Sequence, residues 1–222
     1  MVARFAGIAC LTTLVFGFIA SPAYAQSKWY IGGGAGGTFL MDSEIDDPTG
    51  FLAAIGTETS FDTGYYVGGT VGYAWANNNN DTVFRLEGEL SYRQNDFDQF
   101  TVLGFDFDMD GDTSALGLMV NGFYDIGTGT SWKPYLGGGI GLALVSINDA
   151  TVVGIPLADD DDTVFAYQLG AGLGYEVNPN LTISLDYRFF ATVDPDFTDP
   201  TGIEFSAEYM SHNIGLGLRY GF

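Results

Sequence analysis

Residues Thr163 to Val177 read TVFAYQLGAGLGYEV. The odd-numbered positions Phe165, Tyr167, Leu169, Ala171, Leu173, Tyr175 and Val177 are apolar, while the even positions include Gln168, Gly170, Gly172, Gly174 and Glu176. A period of two is the mark of a β-strand with two chemically different faces. The run is also long. Ordinary strands average about 5 or 6 residues, whereas a tilted strand that crosses a bilayer needs about 9 to 11.

The pattern recurs along the chain. In Thr82–Arg93, Phe84, Leu86, Leu90 and Tyr92 oppose Arg85, Glu87, Glu89 and Arg93. In Leu181–Val193, Leu181, Ile183, Leu185, Tyr187 and Phe189 oppose Thr182, Ser184, Asp186 and Arg188. The last segment sets Ile214, Leu216, Leu218, Tyr220 and Phe222 against Asn213, Gly215, Gly217 and Arg219. Less regular strands are expected at Lys28–Leu40, Thr63–Ala76, Thr113–Tyr124 and Trp132–Ser146. The connections alternate in length. Met41–Asp62, Gln94–Asp112, Ile147–Asp162 and Asp194–Ser206 are long; Asn77–Asp81, Asp125–Ser131 and Asn178–Asn180 are short. Long loops on one side and short turns on the other are the pattern of a transmembrane barrel, with the short turns periplasmic. The spacing thus predicts an all-β fold, an eight-stranded antiparallel up-and-down transmembrane β-barrel. With both termini on the periplasmic side, Trp29, Trp75, Trp132, Tyr124, Tyr175, Tyr220 and Phe222 fall at one height, as membrane-interface anchors do.

Composition and the N-terminus agree with export. Arg4, the apolar run Phe5–Ala20 and the small-x-small triplet Ala23-Tyr24-Ala25 predict a cleaved secretory signal over residues 1–25. The barrel domain is expected over 26–222 and lacks cysteine, since the one cysteine is Cys10. It would carry 6 Lys and Arg, the 7 of the full chain less Arg4, against 28 Asp and Glu. That acidity argues against a nucleic-acid partner. No cofactor is implied.

DYRFF at Asp186–Phe190, KWYIGGGAG at Lys28–Gly36 and the ending AEYMSHNIGLGLRYGF at Ala207–Phe222 resemble the OmpA-like outer-membrane β-barrel family, which includes small surface antigens of Gram-negative bacteria. The resemblance covers the whole chain after the signal and implies a cell outer membrane location. It also implies contact with outer-membrane lipid and lipopolysaccharide, and recognition of Phe222 by the outer-membrane assembly machinery. It does not extend to the peptidoglycan-binding domain of the larger members, so wall anchoring is not carried over.

The acids are unevenly spread. The four long loops hold 21 of the 28 and no Lys or Arg. In the second, GFDFDMDGDTS (Gly104–Ser114) spaces Asp106, Asp108 and Asp110 before Gly111, like the start of an EF-hand loop. The twelfth position is Gly117 where that loop requires glutamate, and Phe105, Phe107 and Met109 alternate with the acids. The expected form is a hairpin arm that turns near Gly111, with a solvated acidic rim. A weak site for divalent cations, shared among Asp106, Asp108, Asp110, Asp159, Asp160 and Asp161, is the second reading.

Inside an eight-stranded barrel there is room only for side chains. Arg85, Glu87, Glu89, Arg93, Glu176, Asp186, Arg188 and Arg219 all fall on inward positions, four acids and four bases. Buried charges are costly unless paired, so a lumen ion-pair network is expected. The abundant inward glycines either admit long arginines or leave a narrow, weakly cation-selective pore. A lipid A-modifying hydrolase is a further alternative, resting on His212 as the one histidine. Along a strand Ser211 and His212 point to opposite faces, so no enzyme is expected. The expected role is that of a structural or surface-antigen barrel.

Overall fold

The computed structural model describes residues 28–41, 43–46, 58–77, 81–152, 155–198 and 204–222, and at some of these, Asp106 and Asp108 among them, only the backbone. The expected signal at 1–25 lies outside the described residues, as do parts of the first and fourth long loops, 47–57 and 199–203.

Among the described residues there are twelve strands: β1 (Lys28–Leu40), β2 (Ser43–Asp46), β3 (Glu58–Phe61), β4 (Gly64–Asn77), β5 (Thr82–Val102), β6 (Phe105–Asp125), β7 (Trp132–Val152), β8 (Ile155–Asn178), β9 (Leu181–Thr192), β10 (Asp196–Thr198), β11 (Glu204–Ala207) and β12 (Met210–Gly221). Eight of them form the barrel predicted from the alternation. β1, β4, β5, β6, β7, β8, β9 and β12 pair in that order, every pair antiparallel, and β12 returns to β1 through Tyr30↔Gly221 and Gly36↔Gly215. A closed ring satisfies backbone groups without water, which is the condition for strands in lipid.

The outer face explains where the ring sits. Leu216, Leu118 and Leu169 are 69%, 63% and 61% exposed, within a band that also bears Ile31, Val71, Leu90, Ile140 and Leu185. Such a band is stable only against another apolar medium. At the end with the short turns the band is edged by aromatics. Trp29 meets Tyr73 edge-on with ring centroids 5.2 Å apart, Tyr73 meets Trp75 at 4.7 Å, and Trp132 meets Tyr175 at 4.8 Å.

The wall is uneven in height. β5, β6 and β7 have 21 residues each and β8 has 24, whereas β1, β4, β9 and β12 have 13, 14, 12 and 12. Most of the expected loops Gln94–Asp112 and Ile147–Asp162 are therefore strand. The β5–β6 hairpin does not turn at Gly111 but at Leu103-Gly104, after Val102↔Phe105, and both turn residues have positive φ (53° and 76°) as a two-residue type I′ turn requires. Gly111 occupies a bulge between β6 and β7 instead, at φ 116°, where a Cβ would lie 2.7 Å from the Asn148 carbonyl oxygen. The glycine that imitates an ion-binding loop answers a backbone constraint.

Above the short wall the small strands build a second tier. β3 joins β5 through Ser60↔Gln99, β2 joins β3, β11 joins β2, and β10 joins β11 through Phe197↔Phe205. Among the described residues the remaining side, between β10 and β8, is joined by carboxylates in place of a ladder. Asp160 Oδ2 accepts a hydrogen bond from the Thr198 amide (2.9 Å), and Asp162 Oδ2 accepts one from the Asp196 amide (3.1 Å).

Candidate functional site

The barrel interior is the site, and its contents change with height. Arg85, Glu87, Glu89, Asp186, Arg188 and Arg219 line one mid-barrel cavity, and Arg93 is buried outside that lining. Arg188 on β9 reaches across the lumen to Glu89 on β5, Nη1 to Oε2 at 2.5 Å. The same oxygen accepts hydrogen bonds from Asn121 Nδ2 (2.8 Å) and Gln168 Nε2 (3.1 Å). Arg85 bonds Glu87, which also accepts the Tyr30 hydroxyl at 2.6 Å. Arg85 Nε also lies 2.9 and 3.0 Å from the two oxygens of Asp125. Asp186 accepts the Tyr135 hydroxyl.

Asp125 belongs to this network although its segment reads as a turn. It shares the parity of Asn121 and Phe123, both buried, so extending the alternation two residues past Phe123 would have found it. Tyr30 and Tyr135 belong to it too, and a lone tyrosine among glycines carries no charge signal in the sequence. Each fills the space over a glycine on the next strand: a Cβ on Gly72 would lie 2.5 Å from the Tyr30 hydroxyl, and Tyr135 covers Gly172 in the same way. The glycines thus make room for aromatic rings as well as for arginines. Glu176 stands apart from the network. It sits half-exposed where β8 leaves the barrel, 3.9 Å from Lys133, and water reaches it there. Lys133, itself buried, bonds Asp81.

Arg93 marks a boundary. It is buried, its guanidinium lies 3.8 Å from the centre of the Phe190 ring, and it donates to Ser91 Oγ at 3.1 Å. Among the described residues no carboxylate lies within 4 Å of it, and its Nε has no partner. A ring face beneath a guanidinium is attractive in itself. Beyond Arg93 the interior becomes mostly apolar: Leu40, Phe97, Met109, Val145, Ile147, Phe190, Phe197 and Tyr209 pack as one core, with Phe61 and Phe205 against it and buried Asn95 bonded to the Thr38 and Asp62 carbonyl oxygens. Burial pushes the Tyr209 phenol up to about 12, against the pull of nearby Arg93.

The acidic positions separate. Asp160 and Asp162 bind backbone amides of β10, whereas Asp110, Asp159 and Asp161 project into solvent. The side chains of Asp106 and Asp108 lie outside the described residues. Among the described residues no group of three or more His, Cys, Asp and Glu could hold a metal ion. His212 faces outward. Its ring lies 5.4 Å from that of Phe189, and its Nδ1 is 2.8 Å from the Tyr187 hydroxyl, while Ser211 is buried in the lumen beside Asn213. That pair is not assembled for nucleophilic chemistry.

The chain is similar to known proteins. PagN of Salmonella typhimurium, an outer membrane protein, is 28% identical over 115 residues, 47% of this chain and 48% of its own, so the alignment spans about half of that relative. The 22 kDa outer membrane protein of Rhizobium leguminosarum bv. viciae is 28% identical over 182 residues, 78% of this chain and 76% of its own. Neisserial surface protein A is similar at 18% identity and a TM-score of 0.49, covering 87% of this chain and 97% of its own. The outer membrane protein beta-barrel domain matches residues 10–222, and the ring, its lipid-facing band and its charged interior all fall within that span. The chain belongs to the family of outer membrane β-barrel proteins of Gram-negative bacteria.

Proposed function

We propose that this outer membrane barrel is a structural, surface-displayed protein whose lumen is a brace and not a passage. One observation carries the reading: buried side chains fill the interior in sequence, from Arg85 and Asp125, through Glu89 and Arg188, to Arg93 on Phe190 and the apolar core. The mid-barrel cavity of about 50 Å3, lined by Tyr66, Arg85, Glu87, Glu89, Asp186 and Arg188 among others, holds only a few water molecules. An ion crossing the barrel would break buried charge pairs and then dehydrate in the apolar tier.

In this reading the short-turn end is periplasmic and the second tier stands outside the cell as the antigenic face. The band of outward leucines and valines contacts lipid and lipopolysaccharide. Phe222, exposed beside β1, is presented to the assembly machinery. The separation of Ser211 from His212 supports a non-enzymatic role.

Planar-bilayer recording of the refolded protein tests the brace. The expected trace shows no steps above the detergent control. Stable unitary conductance would overturn the reading in favour of the narrow cation-selective pore. Loss of an acyl chain from lipid A, abolished by His212→Ala, would overturn it in favour of a hydrolase.

A further inference from the structure

A second cavity, of about 520 Å3, opens at the short-turn end of the barrel. Its lining is unusual for so acidic a chain. Of the seven Lys and Arg residues, Arg4 lies outside the described region and Arg93 and Arg188 sit higher in the lumen; the other four, Lys28, Arg85, Lys133 and Arg219, all face this vestibule. Two of the four are occupied. Arg85 is held by Glu87 and Asp125, and Lys133 by Asp81. The other two have no carboxylate at hydrogen-bond distance among the described residues. The Lys28 ammonium donates to the Pro179 carbonyl oxygen, and among the described residues no carboxylate lies within 4 Å of it. The mostly buried Arg219 has its nearest carboxylate oxygen, on Asp125, at 3.8 Å, beyond hydrogen-bond reach, and that carboxylate is already bound through both oxygens by Arg85. Gly174 and Gly221 leave the room these chains occupy, since a Cβ there would come within 3.1 Å of Arg219 Nη2 and 2.9 Å of Lys28 Nζ.

We infer that this vestibule binds a small oxyanion, a carboxylate or phosphate group, with Arg219 at the floor and Lys28 at the rim. A guanidinium whose one carboxylate neighbour stands beyond hydrogen-bond distance, in a partly dehydrated cavity, is the group that best matches such an anion. Half-exposed Glu176, facing the same space, restricts the ligand to low charge. The orientation follows from the proposed reading, so the ligand arrives from the periplasm. The closed lumen is a separate matter, because binding requires only the open end.

The test uses the refolded barrel in detergent micelles, with the arginine Nε–H resonances followed by NMR. One arm adds inorganic phosphate, a free anion. The other adds N-acetyl-Ala-Ala, whose charge is a chain-terminal carboxylate. A saturable shift of Arg219 is expected in at least one arm, and the stronger arm identifies the source. Arg219→Gln should weaken binding about tenfold, followed through the remaining resonances, and Lys28→Gln should weaken it severalfold. Heat-modifiable gel migration reports whether each variant folds, and Lys28→Gln decides if Arg219→Gln does not. No saturable shift in either arm, or equal affinity in the folded variants, overturns the site.

Discussion

The two tiers of this barrel solve the same closure problem by opposite chemistry. In the membrane-level tier every side of the ring is a backbone ladder, and the interior is charged: Arg85, Arg188 and Arg219 face Glu87, Glu89, Asp125 and Asp186. In the tier beyond it the interior is apolar, and one side of the ring is carboxylate to amide. Lipid accounts for the difference. Within the bilayer an unpaired backbone group has no water to turn to, so the ladder must close. The apolar residues are drawn to the outer face, and polar chains are left for the inside. Outside the bilayer the ordinary rule returns, with apolar residues buried and a gap in the ladder tolerable because water and side chains satisfy the edge.

The largest expected effect lies in the lower tier. Glu89→Gln removes the charge that compensates buried Arg188, and about 4 kcal/mol of stability should be lost, read from urea unfolding of the refolded protein. A loss below about 1 kcal/mol would mean that water screens the lower lumen, and the contrast between the tiers would fail. Phe197→Ala should cost about 3 kcal/mol, confined to the upper tier. It should speed proteolysis of the exposed segments and leave heat-modifiable migration intact. If the membrane-level ring loosened as well, the tiers would be one cooperative unit.

Replacing Asp160 and Asp162 together by Ala removes the two side-chain acceptors that join β8 to β10. Charge-assisted bonds of this kind predict a local loss of about 2 kcal/mol, seen as amide exchange at Asp196 and Thr198 faster by on the order of 30-fold. Unchanged exchange would show that the second tier is held by its apolar core alone. The smallest effect has the opposite sign. Leu103 adopts a left-handed conformation that costs a branched residue about 1 kcal/mol, so Leu103→Gly should slow exchange at the hairpin tip severalfold.

Much of the membrane tier is legible from local pattern. Phe165 and Leu169 against Gln168, or Leu86 and Leu90 against Glu87 and Glu89, announce a two-faced strand without reference to anything distant. The upper tier is harder to read. Gln94–Asp112 is rich in Asp and contains Gly104 and Gly111, composition that marks a loop, yet it is mostly strand because β5 and β6 support one another beyond the bilayer. DDDD at Asp159–Asp162 reads as a solvated run. Only the arrival of β10 shows that alternate members of it are acceptors for backbone amides.

By itself, then, the amino-acid order determined that long two-faced strands close in lipid, which residues face inward, and that arginines and acids share the interior. A bilayer imposes its demand one residue at a time along each strand, so a one-dimensional pattern records it. Tertiary structure decided which partner each inward residue meets. Arg188 finds Glu89 across 99 positions of sequence, Asp125 joins Arg85, and Arg219 is left short of a carboxylate. Those outcomes depend on the stagger between neighbouring strands and the curvature of the wall, which set the height of every side chain in the lumen and leave no mark in any single segment.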